Sequence, residues 1–147
     1  MGKPIGIDLG TTCSAIAGWK ESALYVGPEC YRFQLEEKNF IPSKIYIPDL
    51  NNREVNVRYG RGAIQYATIE PEKFYSAFKR GMDDNKEICR PFGNITPVEL
   101  SSMLLKRMIT QDVIPVEGPD FVPEGVSVSV PYYFTEPPCR NTRTALT

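Results

Sequence analysis

Histidine is absent from all 147 residues. Its absence excludes Ser-His and Cys-His nucleophile pairs and every metal site that needs an imidazole ligand, so chemistry falls to carboxylates, hydroxyls, lysine, backbone amides or a bound metal. An excess of charge of either sign is missing too. With 17 basic side chains against 18 acidic ones, nothing in the balance predicts a nucleic-acid partner or an anionic membrane surface. No stretch approaches the ~20 apolar residues of a membrane span. The N-terminal apolar segment is short and broken by Asp8, so no targeting segment is read. The four cysteines, Cys13, Cys30, Cys89 and Cys139, lack CxxC spacing and with it the signature of a zinc or redox site. Reduced thiols and a cytoplasmic location are the expectation, since a disulfide framework is poorly motivated in a chain of this size. There is no internal repeat and no low-complexity tract.

What is present is enough for a core. Hydrophobic residues make up 41% of the chain and 16 residues are aromatic, which fits one domain with ordinary packing. After an opening hairpin, "ALYV", "YRFQL", "SKIYI" and "EVNVRYG" read as short strands punctuated by Pro28, Pro42 and Pro48. "RGAIQYATI" turns towards helix. A second helical piece is predicted over "PEKFYSAFKRG", where Pro71 suits a first turn and Gly81 a C-terminal cap, followed by a loop from Asp83 to Asn94. The clearest helix is "TPVELSSMLLKRMI": Thr96 caps, Pro97 takes the first position and Glu99 completes a Thr-x-x-Glu capping box. Leu100, Met103, Leu104 and Met108 then form one apolar stripe, read as core packing rather than a partner groove. "GPDFVPEG" reads as a loop and "VSVSV", Val126 to Val130, as a strand whose serines are small enough to lie under a helix. The last piece, "TEPPCRNTRTALT", is helix-compatible, with Thr135 as its cap, and stops without an end signal. That stop raises the expectation of a fragment of something longer.

The chemistry-bearing stretch is "IGIDLGTTCS", Ile5 to Ser14. Ile5, Ile7 and Leu9 alternate with Gly6, Asp8 and Gly10, so a period-two strand places the aliphatics on one face and a lone carboxylate between glycines on the other. A tight turn at Gly10, Thr11, Thr12 and Cys13 would present successive backbone N-H groups and two hydroxyls to an anion, with Asp8 near enough to organise a cation or its water. That combination suits a metal-bound polyphosphate. It is not a Walker A loop, because the spaced second glycine and the lysine are missing and a strand, not a helix, follows. The alternative is an ordinary hairpin whose Asp and Thr side chains satisfy their own turn amides.

"IGIDLGTTCS" closely resembles the first phosphate loop of the Hsp70 (DnaK-type) chaperones, members of the actin-like ATPase superfamily that also includes sugar kinases. "FIPSKIYI", "FYSAFKRGM", "TPVELSSMLLKRM" and "GVSVSVPYYF" follow in that family's order and resemble its TPS-containing strand, its Lys-Arg segment, and its helix and "ITVPAYF" strand. The resemblance implies an α/β fold, a ribonuclease-H-like (actin-like ATPase) lobe with a mixed sheet and flanking helices. Subdomain IA would be built from about 1–32 and 95–147, and IB from about 33–94. It implies ATP or ADP with Mg2+ as cofactors, Asp8 orienting the metal's water, and Gly10, Thr11, Thr12 and Cys13 holding the β- and γ-phosphates. Lys79 would face the γ-phosphate and the attacking water, and Pro131 would couple nucleotide state to a substrate-binding domain. Read without the family, Lys79 and Arg80 close a helix where cations favour its C-terminal dipole, and Pro131 ends a strand.

The parent protein implied is an ATP hydrolase that acts on unfolded client proteins with co-chaperones. The chain departs from that family in "EKNFIPS", which replaces a GxRTTPS run, and in "TEPPCR", which puts Cys139 where a relay arginine is expected and Arg140 one place late. The second Asp-x-Gly-Gly-Gly loop of the family does not occur in these 147 residues, and neither does a substrate-binding domain. The expectation for the chain itself is therefore weak nucleotide binding without turnover. Two rival functions are a sugar or polyol kinase of the same superfamily, and a non-catalytic interaction module that keeps the fold.

Overall fold

Alternation at the N-terminus becomes a strand with one buried and one open face. The computed structural model describes residues 3–21, 28–32, 40–130 and 136–145. β1 (Pro4–Leu9) buries Ile5, Ile7 and Leu9 and leaves Asp8 exposed on the opposite side. The chain reverses and returns as β2 (Cys13–Glu21), antiparallel, with Leu9 opposite Ser14 and Asp8 opposite Ala15. β3 (Pro28–Arg32) pairs antiparallel with β2, and β4 (Ile41–Pro42) pairs with Cys13 and Ser14 at its start. The predicted "ALYV" strand and the end of "YRFQL" lie outside the described residues.

β5 (Lys44–Tyr46) lies between β6 (Arg58–Tyr59) and β7 (Phe74–Ser76) in a three-stranded antiparallel sheet. Two corrections to the sequence reading fall here. Of "EVNVRYG" only β6 is strand, because Asn56 adopts a left-handed conformation (φ 56°) that breaks extension. The stretch "PEKFYSAFKRG" is not one helix: a single 3-10 turn, Pro71–Lys73, is followed by β7, left-handed Ala77 and a second 3-10 turn, Phe78–Met82. Tyr75 pairs with Ile45 and is 2% exposed, so burial of an aromatic in a sheet overrides local helical signals. Gly81 does not cap a helix. It makes room, since a Cβ there would stand 2.8 Å from the Pro97 ring.

"RGAIQYATI" forms two single-turn helices, α1 (Arg61–Ile64) and α2 (Tyr66–Ile69), as its reading as helix predicts. The segment expected as a loop, Asp83 to Asn94, instead contains all but the last residue of a hairpin, β8 (Ile88–Arg90) with β9 (Gly93–Ile95), turned by Gly93 at φ 132° and anchored by buried Ile95. α3 (Pro97–Met108) has the predicted capping box: Thr96 Oγ1 accepts from the Glu99 amide at 3.2 Å and Glu99 Oε2 accepts from the Thr96 amide at 2.8 Å. Leu100, Leu104 and Met108 are fully buried and Met103 packs against them, so the stripe is core. Beyond Met108 the helix widens into a π segment, Ile109–Val113, and then α4 (Ile114–Glu117). Pro115 has no amide to donate and crowds the preceding turn, which accounts for the loosened winding ahead of it.

β10 (Gly125–Ser129) returns parallel to β1, giving the mixed order β10-β1-β2-β3. α5 (Glu136–Ala145) closes the described chain; the proposed cap Thr135 lies outside it. One apolar cluster joins the buried faces of β1 and β2 to Ile41, Ile45, Tyr75, α3 and Ala145 of α5. The molecule is thus a mixed α/β structure with a mixed sheet and flanking helices. No helix among the described residues is long and apolar enough to cross a membrane.

The small sheet carries a titratable lock. Tyr46, 6% exposed, donates its hydroxyl to Glu70 and stacks on Tyr66 with ring centroids 3.7 Å apart. The Glu70 bond, with burial second, pushes the Tyr46 hydroxyl up to about 12 from its ordinary 10.0. The same bond is the main cause that holds Glu70 below its ordinary 4.5. Because the folded tyrosine is raised, its contribution is complete below pH 10 and is lost as pH climbs towards 12. The glutamate's contribution is present above 4.5 and is lost below it. Tyr46→Phe is expected to flatten both arms of the stability profile, read as urea midpoints across pH; an unchanged alkaline arm would contradict the lock.

Candidate functional site

The site grows from the end of β1. Gly10 is required by contact: a Cβ placed on it would lie 2.0 Å from the carbonyl oxygen of Cys13, closer than any side chain tolerates. The bend this permits leaves Gly10, Thr11 and Cys13 half-buried and Thr12 exposed. It is gripped from behind by the residue between β4 and β5. The Ser43 amide donates to the Thr12 carbonyl at 2.8 Å and the Ser43 hydroxyl to the Gly10 carbonyl at 2.8 Å, while the Ser14 hydroxyl lies 2.8 Å from that of Ser43.

Asp8 stands on the open face, and its Oδ1 accepts a hydrogen bond from the Ser129 hydroxyl at 2.7 Å. This corrects the placing of the β10 serines beneath a helix. The parallel register sets Ser127 beside Gly6 and Ser129 beside Asp8, and neighbours in register share a face. Both serines are exposed there. With Ala15 and Ala17 of β2 they floor a shallow concavity of about 720 Å³, rimmed by half-exposed Phe40, which Asp8 and Cys13 also line.

Lys79 reaches the same strand ends from the other direction. Only 5% exposed, it donates to the Leu9 carbonyl and, at 3.4 Å, to the Ser129 carbonyl. Burial lowers its pKa below 10.5, and nearby Asp8 opposes that shift. This replaces the reading of Lys79 as a cation closing a helix, because its ammonium sits on the strand carbonyls of Leu9 and Ser129, 70 and 50 residues away in sequence. Arg80 is the exposed member of the pair.

The structure therefore gathers Asp8, the Gly10 to Cys13 bend and Lys79 at the carboxyl ends of β1 and β10, the edge where open α/β sheets commonly bind ligands. Pro131 lies outside the described residues. Sequence reasoning placed neither Ser43 nor Ser129 at the site; their partners there lie 33 and 121 residues away. For Ser129 a signal existed: a strict strand parallel to β1 places alternate residues on the face of Asp8.

Chemically, the arrangement offers backbone amides and hydroxyls at a bend, one exposed carboxylate, and one buried ammonium. Among the described residues no group of three or more His, Cys, Asp or Glu side chains comes together as a metal cage. A single carboxylate suits a hard ion that keeps most of its water and takes other oxygens from a phosphate ligand, as magnesium does. No protein-family model matches the chain, so the motifs and this geometry carry the functional conclusion.

Proposed function

We propose that the chain is the N-terminal lobe of an Hsp70-like ATPase with a ribonuclease-H-like fold, supplying the first of two phosphate loops for Mg-ATP. The observation that carries this reading is the convergence of an exposed carboxylate, a glycine-dependent bend and a buried lysine at one end of the mixed sheet. Amides of the bend would hold phosphate oxygens, a task that suits backbone N-H groups presented in succession. Lys79, shielded from water, would neutralise charge developing on the transferred phosphoryl group, and its effect is larger in such a site than in solvent. Asp8 would hold the water shell of a magnesium ion, which neutralises phosphate charge when bound. Unfolded clients and co-chaperones would be reached through the parent protein.

The 147 residues contain no Asp-x-Gly-Gly-Gly segment and no adjacent glycines at all, so the chain supplies half of the phosphate contacts. Positioning is then incomplete. Calorimetric titration with Mg-ATP is expected to give a dissociation constant in the millimolar range, about −4 kcal/mol, with no phosphate release. Micromolar affinity or steady turnover would contradict the half-site account. No heat at millimolar nucleotide would contradict the nucleotide reading itself.

A further inference from the structure

Ser43 touches none of the amides proposed to meet phosphate, yet two bonds tie it to the bend that carries them and a third ties it to Ser14, the residue that follows the bend. It is 1% exposed and sits between fully buried Ile41 and Ile45. Its backbone is fixed on both sides, by β4 pairing with Cys13 and Ser14 and by β5 pairing with β6 and β7. A hydroxyl has one hydrogen to give. Since the Ser43 hydrogen goes to the Gly10 carbonyl, the Ser14 hydroxyl must donate in the Ser14–Ser43 pair. The bonds therefore run one way, from Ser14 to Ser43 to Gly10, with the Ser43 amide on the Thr12 carbonyl as a second grip.

The consequence follows from peptide geometry. In a planar trans peptide the C=O and N-H point in opposite directions. Holding the Gly10 and Thr12 carbonyls towards Ser43 turns the N-H groups of the next residues, Thr11 and Cys13, away from it. We infer that Ser43 is a positioning residue for anion binding: it fixes the two carbonyls of the bend so that the Thr11 and Cys13 amides stay aimed at a phosphate ligand. This rests on the nucleotide reading above and adds a residue to it.

Ser14 supplies the control. Ser14→Ala deletes a buried hydroxyl of equal size and the bond between the two serines, but leaves both bonds from Ser43 to the bend. Ser43→Ala deletes the grip on Gly10. Two readouts on the whole chain separate the roles: the backbone amide NMR shifts of Thr11 and Cys13 in the free protein, and their response to Mg-ADP.

Ser43→Ala is expected to move both amide shifts and to weaken Mg-ADP binding about tenfold, the value of one lost hydrogen bond. Ser14→Ala is expected to leave the two shifts in place and to change affinity less than about threefold. Where Ser43→Ala does not fold, Ser43→Cys, of similar volume with a weak donor, is expected to fall between wild type and a full loss. Equal shifts and equal affinities for the Ser14 and Ser43 variants would overturn the positioning role and leave the nucleotide reading standing. Ser43-dependent shifts in a wild-type chain that shows no response to millimolar Mg-ADP would overturn the nucleotide reading, and with it the role of Ser43 in binding.

Discussion

On the proposed reading, replacing Lys79 by Met in a parent protein with both phosphate loops is expected to lower steady ATP hydrolysis by about 10²–10³-fold, the usual loss when one preorganised charge-stabilising donor is removed. The fold is expected to survive, because two opposing effects meet at this site. Met of similar length removes a buried cation whose desolvation is unfavourable. It also leaves the Leu9 and Ser129 carbonyls without the ammonium that now bonds them, at about 1–3 kcal/mol for each group left unsatisfied. A net change within about 2 kcal/mol is the expected balance.

The pH profile separates the ammonium from the carbon chain. Burial holds Lys79 below 10.5 in the folded state, so between its depressed pKa and 10.5 the unfolded chain binds more protons than the native one. Stability must then rise with pH across that window. Lys79→Met is expected to flatten this rise, with the clearest difference below pH 10, where tyrosine ionisation does not yet enter. Unchanged turnover in the variant would remove Lys79 from the mechanism, and an unchanged profile would show that its ammonium is not buried in solution.

How much of this was legible in the sequence depends on the reach of each signal. The faces of β1 follow from Ile5, Ile7 and Leu9 alternating with Asp8, and α3 follows from Thr96, Pro97 and Glu99, because a strand period and a capping box are local statements. The Gly10 bend was legible for the same reason. The segment around Tyr75 was not. Its local helix signals, Pro71 ahead and Gly81 behind, are real, but pairing with Ile45 thirty residues earlier decided its conformation. The site divides in the same way: Asp8 and the bend lie within a few residues of one another, whereas the donor that fixes Asp8, the clamp at Ser43 and the ammonium of Lys79 are brought to them from distant parts of the chain. Motif spacing names the groups proposed to meet a ligand, and topology alone supplies those that hold them in place.

The bend itself offers the sharpest structural test, since two glycines four residues apart on β1 and at its end face opposite demands. A Cβ on Gly6 meets nothing within 4 Å, on the open face beside Ser127 and Ala17, whereas one on Gly10 meets the Cys13 carbonyl at 2.0 Å. Gly6→Ala is therefore expected to leave stability unchanged or raise it by about 0.5–1 kcal/mol, by removing backbone freedom from the unfolded chain. Gly10→Ala must displace backbone at the start of β2 or open the turn, because no flexible side-chain tip is there to give way. Its expected cost is about 3 kcal/mol, the upper part of the range for forced overpacking. Opening the turn would also pull the Gly10 and Thr12 carbonyls from Ser43 and release the aim of the following amides. Loss of the Mg-ATP response should then accompany the loss of stability, within one variant and at one position. Urea midpoints for the two alanine variants read the first effect and calorimetry the second. If Gly10→Ala unfolds at the same midpoint as Gly6→Ala, the close approach at Cys13 does not exist in solution and no rigid cradle stands at the end of β1.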